Sequence, residues 1–357
     1  MAYGNTPPPG PPPGWGGWTP PPPPRPGVIP LAPLGLGDIL GGAFSTIGRY
    51  WKQLFGIAAA VYGAAAVAVG VALAIMYAVV GDHLRAIYDA TRDEPPVWDD
   101  IRPLLFAFLA VWGIGMITFL LATAMVYASV PAILQDAVLG RPTTFGVVWR
   151  RAAARVPAVI GTVFLVALVS VIPVALFLTA FVGLMIALLA AGTGPLIVPP
   201  LAFVGAMATA PLAVWLWVKF SLAPAAAVFE GQGAIAAMRR SSKLVRGDWW
   251  RIFGITLLTG VMAGIAAYVI QLPLSLVQML PGAIGSSDLG SDPTGSQVMV
   301  FLGGAIVLSL VSQLIGQVVV AAFPQLIASL LYIDRRIRTE NLAPTLAEAA
   351  AVPPAGY

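Results

Sequence analysis

The chain has 357 residues, 59% of them hydrophobic and 10% charged, against roughly 45–50% and about 25% in soluble domains; such a composition belongs in lipid. Cysteine is absent and His83 is the single histidine, which excludes disulfides, thiolate nucleophiles, cysteine metal sites and most histidine chemistry. The net charge of +4 sits in short segments beside apolar runs, where Lys and Arg set membrane orientation, so no nucleic-acid partner is expected.

Residues 1–30 are a Pro/Gly-rich tract that cannot bury enough apolar surface to order itself. It predicts a disordered tail with polyproline II character. The start has neither a basic n-region nor an apolar core, so no cleavable signal peptide is expected. Within the tail, PPGW at Pro12 to Trp15 offers a docking motif for a cytoplasmic partner with an aromatic groove, set against the plainer reading of a spacer.

Leu36 to Trp51 predicts an interfacial helix, with Asp38 as N-cap, Leu40, Phe44, Ile47 and Trp51 as its apolar stripe, and Arg49 and Lys52 at the lipid boundary. A first span follows over about 54–80, with Gly56, Gly63 and Gly70 forming a small-residue face. The loop at 81–103 is the most acidic segment. Its Asp89, Asp93 and Glu94 offer hard oxygen ligands, but no EF-hand spacing is present and Arg85 and Arg92 compete for them, so no metal site is expected.

A second span over about 104–130 ends at Pro131. The second interfacial helix follows, with Phe145, Val148, Trp149 and Ala152 apolar and Arg150, Arg151 and Arg155 polar. The apolar run 157–191 contains Pro173 and reads as one long or kinked span, with a re-entrant break as the alternative. A fourth span runs over about 201–220, kinked at Pro211, with Lys219 snorkelling. The third interfacial helix, Gly233 to Arg251, places Ile235, Met238 and Val245 on one face and Arg239, Lys243 and Arg246 on another, beside Arg240, Trp249, Trp250 and Arg251. A fifth span (about 252–280) and a sixth (about 298–322, closing at Pro324) complete the series before a flexible tail at 339–357.

The design repeats. The same number of positions separates Pro131 from Gly161 as separates Pro224 from Gly254, each proline closing a span and each glycine opening the next. The unit is interfacial helix, span, span, over about 36–131, 143–224 and 233–324. On the other side of the membrane the loops hold only Arg85, Arg92 and Arg102 among the basic residues. The positive-inside rule therefore places both termini in the cytoplasm of a plasma-membrane protein. The expected fold is all-α and polytopic: six transmembrane helices as three hairpin repeats, each preceded by an amphipathic interfacial helix, within a membrane domain at 31–338.

No span centre carries Asp, Glu, His or Arg, which argues against an energised transporter. Ser309, Gln313 and Gln317 lie at four-residue steps on the sixth span; such a stripe reads as interhelical hydrogen bonding more readily than as a transport path. No nucleotide-binding, hydrolase or metalloprotease motif occurs in a usable context, so neither enzyme activity nor a cofactor is expected. The interfacial helices remain. Arg49, Lys52, Arg150, Arg151, Arg155, Arg239, Arg240, Lys243, Arg246 and Arg251 would form a basic collar against lipid headgroups.

PLGLGDILGGAFSTIGRYWKQLFG, PAILQDAVLGRP and FEGQGAIAAMRRSSKLVRGDWWRIFG together resemble the membrane domain found beside some glycerophosphoryl diester phosphodiesterases and also as a stand-alone protein behind a proline-rich tail. The resemblance covers about residues 30–338. In fused members the phosphodiesterase is a separate soluble barrel needing histidine and carboxylate metal ligands, which one histidine cannot supply. It implies a membrane domain without that enzyme. The expected function is a non-catalytic, lipid-interacting or scaffolding membrane protein; the alternative is a passive or partner-energised transporter using the polar face of the last span.

Overall fold

A computed structural model describes residues 25–89, 98–190, 198–288 and 321–351, with Gly303, Gly304, Leu308, Ser309, Ser312, Gly316 and Gln317. The described residues are helical and contain no strand. The order is α1 (Leu36–Asp89), α2 (Trp98–Val138), α3 (Phe145–Ala153), α4 (Val156–Ala190), α5 (Val198–Phe220), α6 (Ala223–Phe229), α7 (Ala234–Val245), α8 (Trp249–Asp288), α9 (Ala322–Glu340) and α10 (Ala343–Ala351). Five stretches, in α1, α2, α4, α5–α6 and α8, are long and apolar enough to cross a membrane. Large apolar side chains such as Phe106, Phe164, Leu176 and Ile265 stand exposed along them, a surface that water would not tolerate but lipid solvates. The chain is an all-helical, multi-pass membrane protein. Most of the sixth expected span, together with Asp93, Glu94, the PPGW motif and Gln313, lies outside the described residues.

Helices form over all three segments expected to be interfacial. The first is continuous with its span in α1, but Tyr50 leaves helical geometry (φ −117°, ψ 21°) and kinks the helix there. The kink is tied to the connection between α2 and α3: the Tyr50 hydroxyl donates to the Arg141 carbonyl at 2.9 Å, and Gln53 Nε2 donates to the Thr143 carbonyl at 2.8 Å. Asp38 lies in the first turn and reaches back to the Gly35 N–H at 3.0 Å, the reciprocal half of a capping box rather than the N-cap itself. Through Pro173, α4 runs as one helix, without a re-entrant break; at 1.5 Å per residue its length of roughly 52 Å exceeds the ~30 Å hydrocarbon core.

In α3 the apolar stripe is buried at Val148 and Ala152, whereas in the first and third of these helices the buried face only partly coincides with the stripe. Over residues 36–51 of α1 the buried positions are Ile39, Gly42, Ala43, Thr46 and Tyr50, whereas Phe44 and Trp51 are exposed; in α7 they are Ala237, Ser241, Leu244 and Val245, whereas Ile235 is exposed. Small residues allow close helix contact on the inner side, and bulky ones are left for the membrane interface. Among the three glycines that open the spans, Gly161 has a steric reason: a Cβ there would lie 2.9 Å from that of Ala234, so α4 and α7 meet only because the side chain is missing.

The core lies at one end of the molecule. The segments after the span-closing prolines, Ala132 to Val138 of α2, most of α6, and α9, supply much of it, and residues such as Tyr50, Ile57 and Tyr62 of α1, Val148 of α3, Leu244 of α7 and Ile252 of α8 pack with them. Pro131 sits inside α2, while Pro224 and Pro324 fall in the first turns of α6 and α9, where a missing N–H costs nothing. The ends of the described chain join this core. Ile29 and Leu34 are fully buried and the Val28 N–H donates to the Ala137 carbonyl at 3.1 Å, so residues expected in the tail, up to 30, are packed. At the other end, where a flexible tail is expected from 339, α10 forms and Leu342, Ala343 and Leu346 pack on the core.

Candidate functional site

The polar chemistry is concentrated at this core end, on α9. Asp334 is fully buried; its Oδ1 accepts the Leu34 N–H and Arg338 Nε, each at 2.8 Å, and its Oδ2 accepts Arg251 Nη1 at 2.5 Å. Both guanidinium groups also donate to the Leu34 carbonyl, at 2.8 and 2.7 Å. One turn of α9 thus clamps the chain just ahead of α1 and the start of α8. Beside it, Arg335 donates to the Leu244 carbonyl at 2.8 Å and pairs with Asp248, pinning the turn between α7 and α8. Burial, and secondarily the charge of Arg338, lower the Arg335 pKa.

A second network centres on Glu230, which follows α6. It accepts Arg240 Nε at 2.7 Å, Gln232 Nε2 at 2.8 Å and the Tyr332 hydroxyl. Arg240 pairs also with Glu340, and Arg336 Nε reaches Glu340 at 2.9 Å. Burial, reinforced by the bond to Glu230, raises the Tyr332 pKa. For Glu340, burial alone would raise the pKa, but hydrogen bonds from Arg336 and Arg240 outweigh it and hold the carboxyl below its ordinary value.

Two adjoining cavities open beside this network. One, of about 410 Å³, lies between α2, α9 and α10 and is lined by Asp136, Arg141, Arg151, Tyr332, Arg336 and Leu346, among others. The second, of about 420 Å³, lies between α2, the α3–α4 turn and the α6–α7 turn and includes Arg151, Arg155, Glu230 and Gly231. Gln135, Arg151 and Phe229 line both, so they form one groove. Four arginines face two carboxylates across it, a net positive concavity. Arg151 Nη1 donates to Asp136 at 3.0 Å, Arg155 Nη1 to the Gly231 carbonyl at 3.1 Å and Arg141 Nη2 to the Ala349 carbonyl at 2.7 Å. Each guanidinium has five N–H donors, so these bonds orient the groups without exhausting Arg151 or Arg155. Gly231 adopts φ +65°, and a Cβ on it would come within 3.0 Å of the Arg155 guanidinium; glycine is needed there for backbone shape and for space.

The structure divides the expected collar. Arg151, Arg155, Arg240 and Arg251 are engaged by carboxylates or carbonyls. Arg150, Arg239, Lys243 and Arg246 are exposed, and Arg49 and Lys52 lie near the rings of their neighbours Tyr50 and Trp51. Arg141 and Arg336, which complete the groove, and Asp334 are site residues that sequence reasoning misses. Of the polar stripe, Ser309 and Gln317 are described; the neighbouring Ser312 is buried.

A family profile described as a domain of unknown function (DUF7847) matches residues 53–332. The chain belongs to the DUF7847 family. No curated protein and no solved structure matches it. The DUF7847 match starts just beyond the Tyr50 kink and ends at Tyr332. It therefore takes in α3, Glu230, Arg240 and most of the groove, while Leu34, Asp334, Arg336 and Glu340 lie outside it.

Proposed function

We propose that this DUF7847 protein is a non-catalytic membrane protein that holds anionic lipid headgroups in the groove between α2, α3, α6 and α9. The observation that carries the reading is the convergence of Arg141, Arg151, Arg155 and Arg336 on adjoining cavities whose lining includes two carboxylates, Asp136 and Glu230, with Glu340 pairing Arg336 from outside the lining. Arginine forks match phosphate oxygens bidentately. The outward cations Arg150, Arg239, Lys243 and Arg246 add attraction of about 1 kcal/mol each near an anionic leaflet.

The proposed setting is six spans in three hairpins, with the surface helices and both termini on the cytoplasmic side of the plasma membrane. The charge asymmetry of the loops supports this. The likeness to the phosphodiesterase membrane domain supports the same reading, a membrane part without the barrel. The proline-rich tail would serve as a docking segment for a cytoplasmic partner.

Extraction into native nanodiscs, followed by comparison of retained with bulk lipids, tests the proposal. Enrichment of an anionic lipid class is expected, falling in Arg151→Gln/Arg155→Gln while the protein stays folded. Retained lipids that match the bulk in both proteins would overturn it.

A further inference from the structure

On the opposite flank of α3 lies a groove of different character. Its deeper part, of about 260 Å³, is lined by Ala60, Val61, Ala64 and Ala65 of α1 and by Leu121 and Ala122 of α2. Its outer part, of about 520 Å³, runs along the first turn of α3 to Arg150. Ala60 and Trp149 line both parts, which makes them continuous. The alanines leave a gap that no side chain fills, while on a neighbouring face Tyr62 and Thr123 bond at 3.3 Å and keep α1 and α2 together. Trp149, stacked on Phe145 at 5.6 Å, stands at the junction, where membrane proteins place aromatic residues at headgroup level.

We propose that this groove holds a single phospholipid, with one acyl chain between α1 and α2 and its phosphate at Arg150. The charge pattern selects the occupant. Arg150 is exposed and has no carboxylate or carbonyl partner among the described residues, unlike Arg151 beside it, which is bonded to Asp136. The deeper part is apolar except for Thr118, whose hydroxyl is already bonded to the Ile114 carbonyl at 2.8 Å. A peptide laid there would bury N–H and C=O groups without partners. An amphiphile with an anionic head satisfies both ends. The inference deepens the lipid reading above and rests on it only in taking a membrane lipid as ligand; the two grooves share no arginine.

The full chain is reconstituted in phosphatidylcholine vesicles containing a minor fraction of phosphatidylglycerol that carries a diazirine midway along an acyl chain. After illumination, adducts are mapped by peptide mass spectrometry. Adducts concentrated several-fold on 57–65 and 118–122, relative to the lipid-facing stretch 164–178, are expected. Ala60→Phe and Ala64→Phe should reduce groove adducts to that background, and Arg150→Gln should reduce them with the phosphatidylglycerol probe. Labelling spread evenly over the spans of the unmodified protein overturns the site; labelling indifferent to Arg150→Gln overturns the phosphate assignment. Localised labelling without anionic enrichment in nanodiscs would sink the basic-groove reading and leave this one standing, and the converse result would do the reverse.

Discussion

Asp334 has no exposed surface and takes three hydrogen bonds from groups far apart in the chain, so its removal strips Arg251, Arg338 and the Leu34 N–H of one shared acceptor. Breaking a buried pair from one side costs about 3–5 kcal/mol, and the lower end applies because the two arginines keep contact with solvent. Asp334→Ala is therefore expected to lower stability by about 3 kcal/mol, and Asp334→Asn by less, since an amide oxygen still accepts the Leu34 N–H. Thermal unfolding in detergent measures both; an unchanged Tm for the alanine variant would remove the clamp from the account of stability. No pattern in the sequence distinguishes Asp334 from a solvated tail residue. It stands in YIDRRIR, whose charges read as a hydrophilic end, and of its partners only Arg338 is local, Arg251 lying 83 positions away and Leu34 300. The same holds for the collar: Arg150 and Arg151 are adjacent and alike in sequence, and only the position of Asp136 separates the outward cation from the bonded one.

Among the elements, α10 is held by a small number of polar contacts and a modest apolar one. Glu340, the last residue of α9, ties the chain just ahead of α10 to α7 through Arg240, and within α10 the Ala349 carbonyl accepts a bond from Arg141. Because the Glu340 carboxyl is held below its ordinary value of 4.5, its contribution is fully present above that value and is lost as pH falls through the lower, folded one. Acidification should loosen α10 before the spans respond, and Glu340→Gln should loosen it at neutral pH and abolish the pH dependence. Hydrogen exchange across 342–351 reads this directly; protection that does not change with acid or with the variant would show that apolar packing of Leu342 and Leu346 alone suffices. Periodicity located the helices ahead of the spans because amphipathic segments carry their signal locally. It marked only part of their buried faces, Val148, Ala152 and Val245 among them, because alanine, serine and threonine score as weakly apolar yet pack well where helices approach closely.

For the molecule as a whole, hydropathy marks the lipid-facing helices, whereas the core that joins them draws much of its substance from short segments after Pro131, Pro224 and Pro324 with mixed composition. Hydropathy reports what faces lipid, and this core faces neither lipid nor water. Truncation separates the two contributions. A chain ending after residue 341 should retain a monodisperse peak in size-exclusion chromatography, because α9 and its clamp remain. A chain ending after residue 321 should aggregate although its apolar spans are intact. Equal behaviour of the two truncations would show that span packing alone determines assembly.

The bond between the Leu34 N–H and Asp334 joins positions 300 residues apart. At ~5–20 residues per second of synthesis, roughly 15 to 60 s pass between the appearance of one partner and the other. During that interval the spans are made one after another while the backbone ahead of α1 waits for its acceptor. A ribosome stalled before α9 would leave a membrane-inserted chain in which this clamp cannot close.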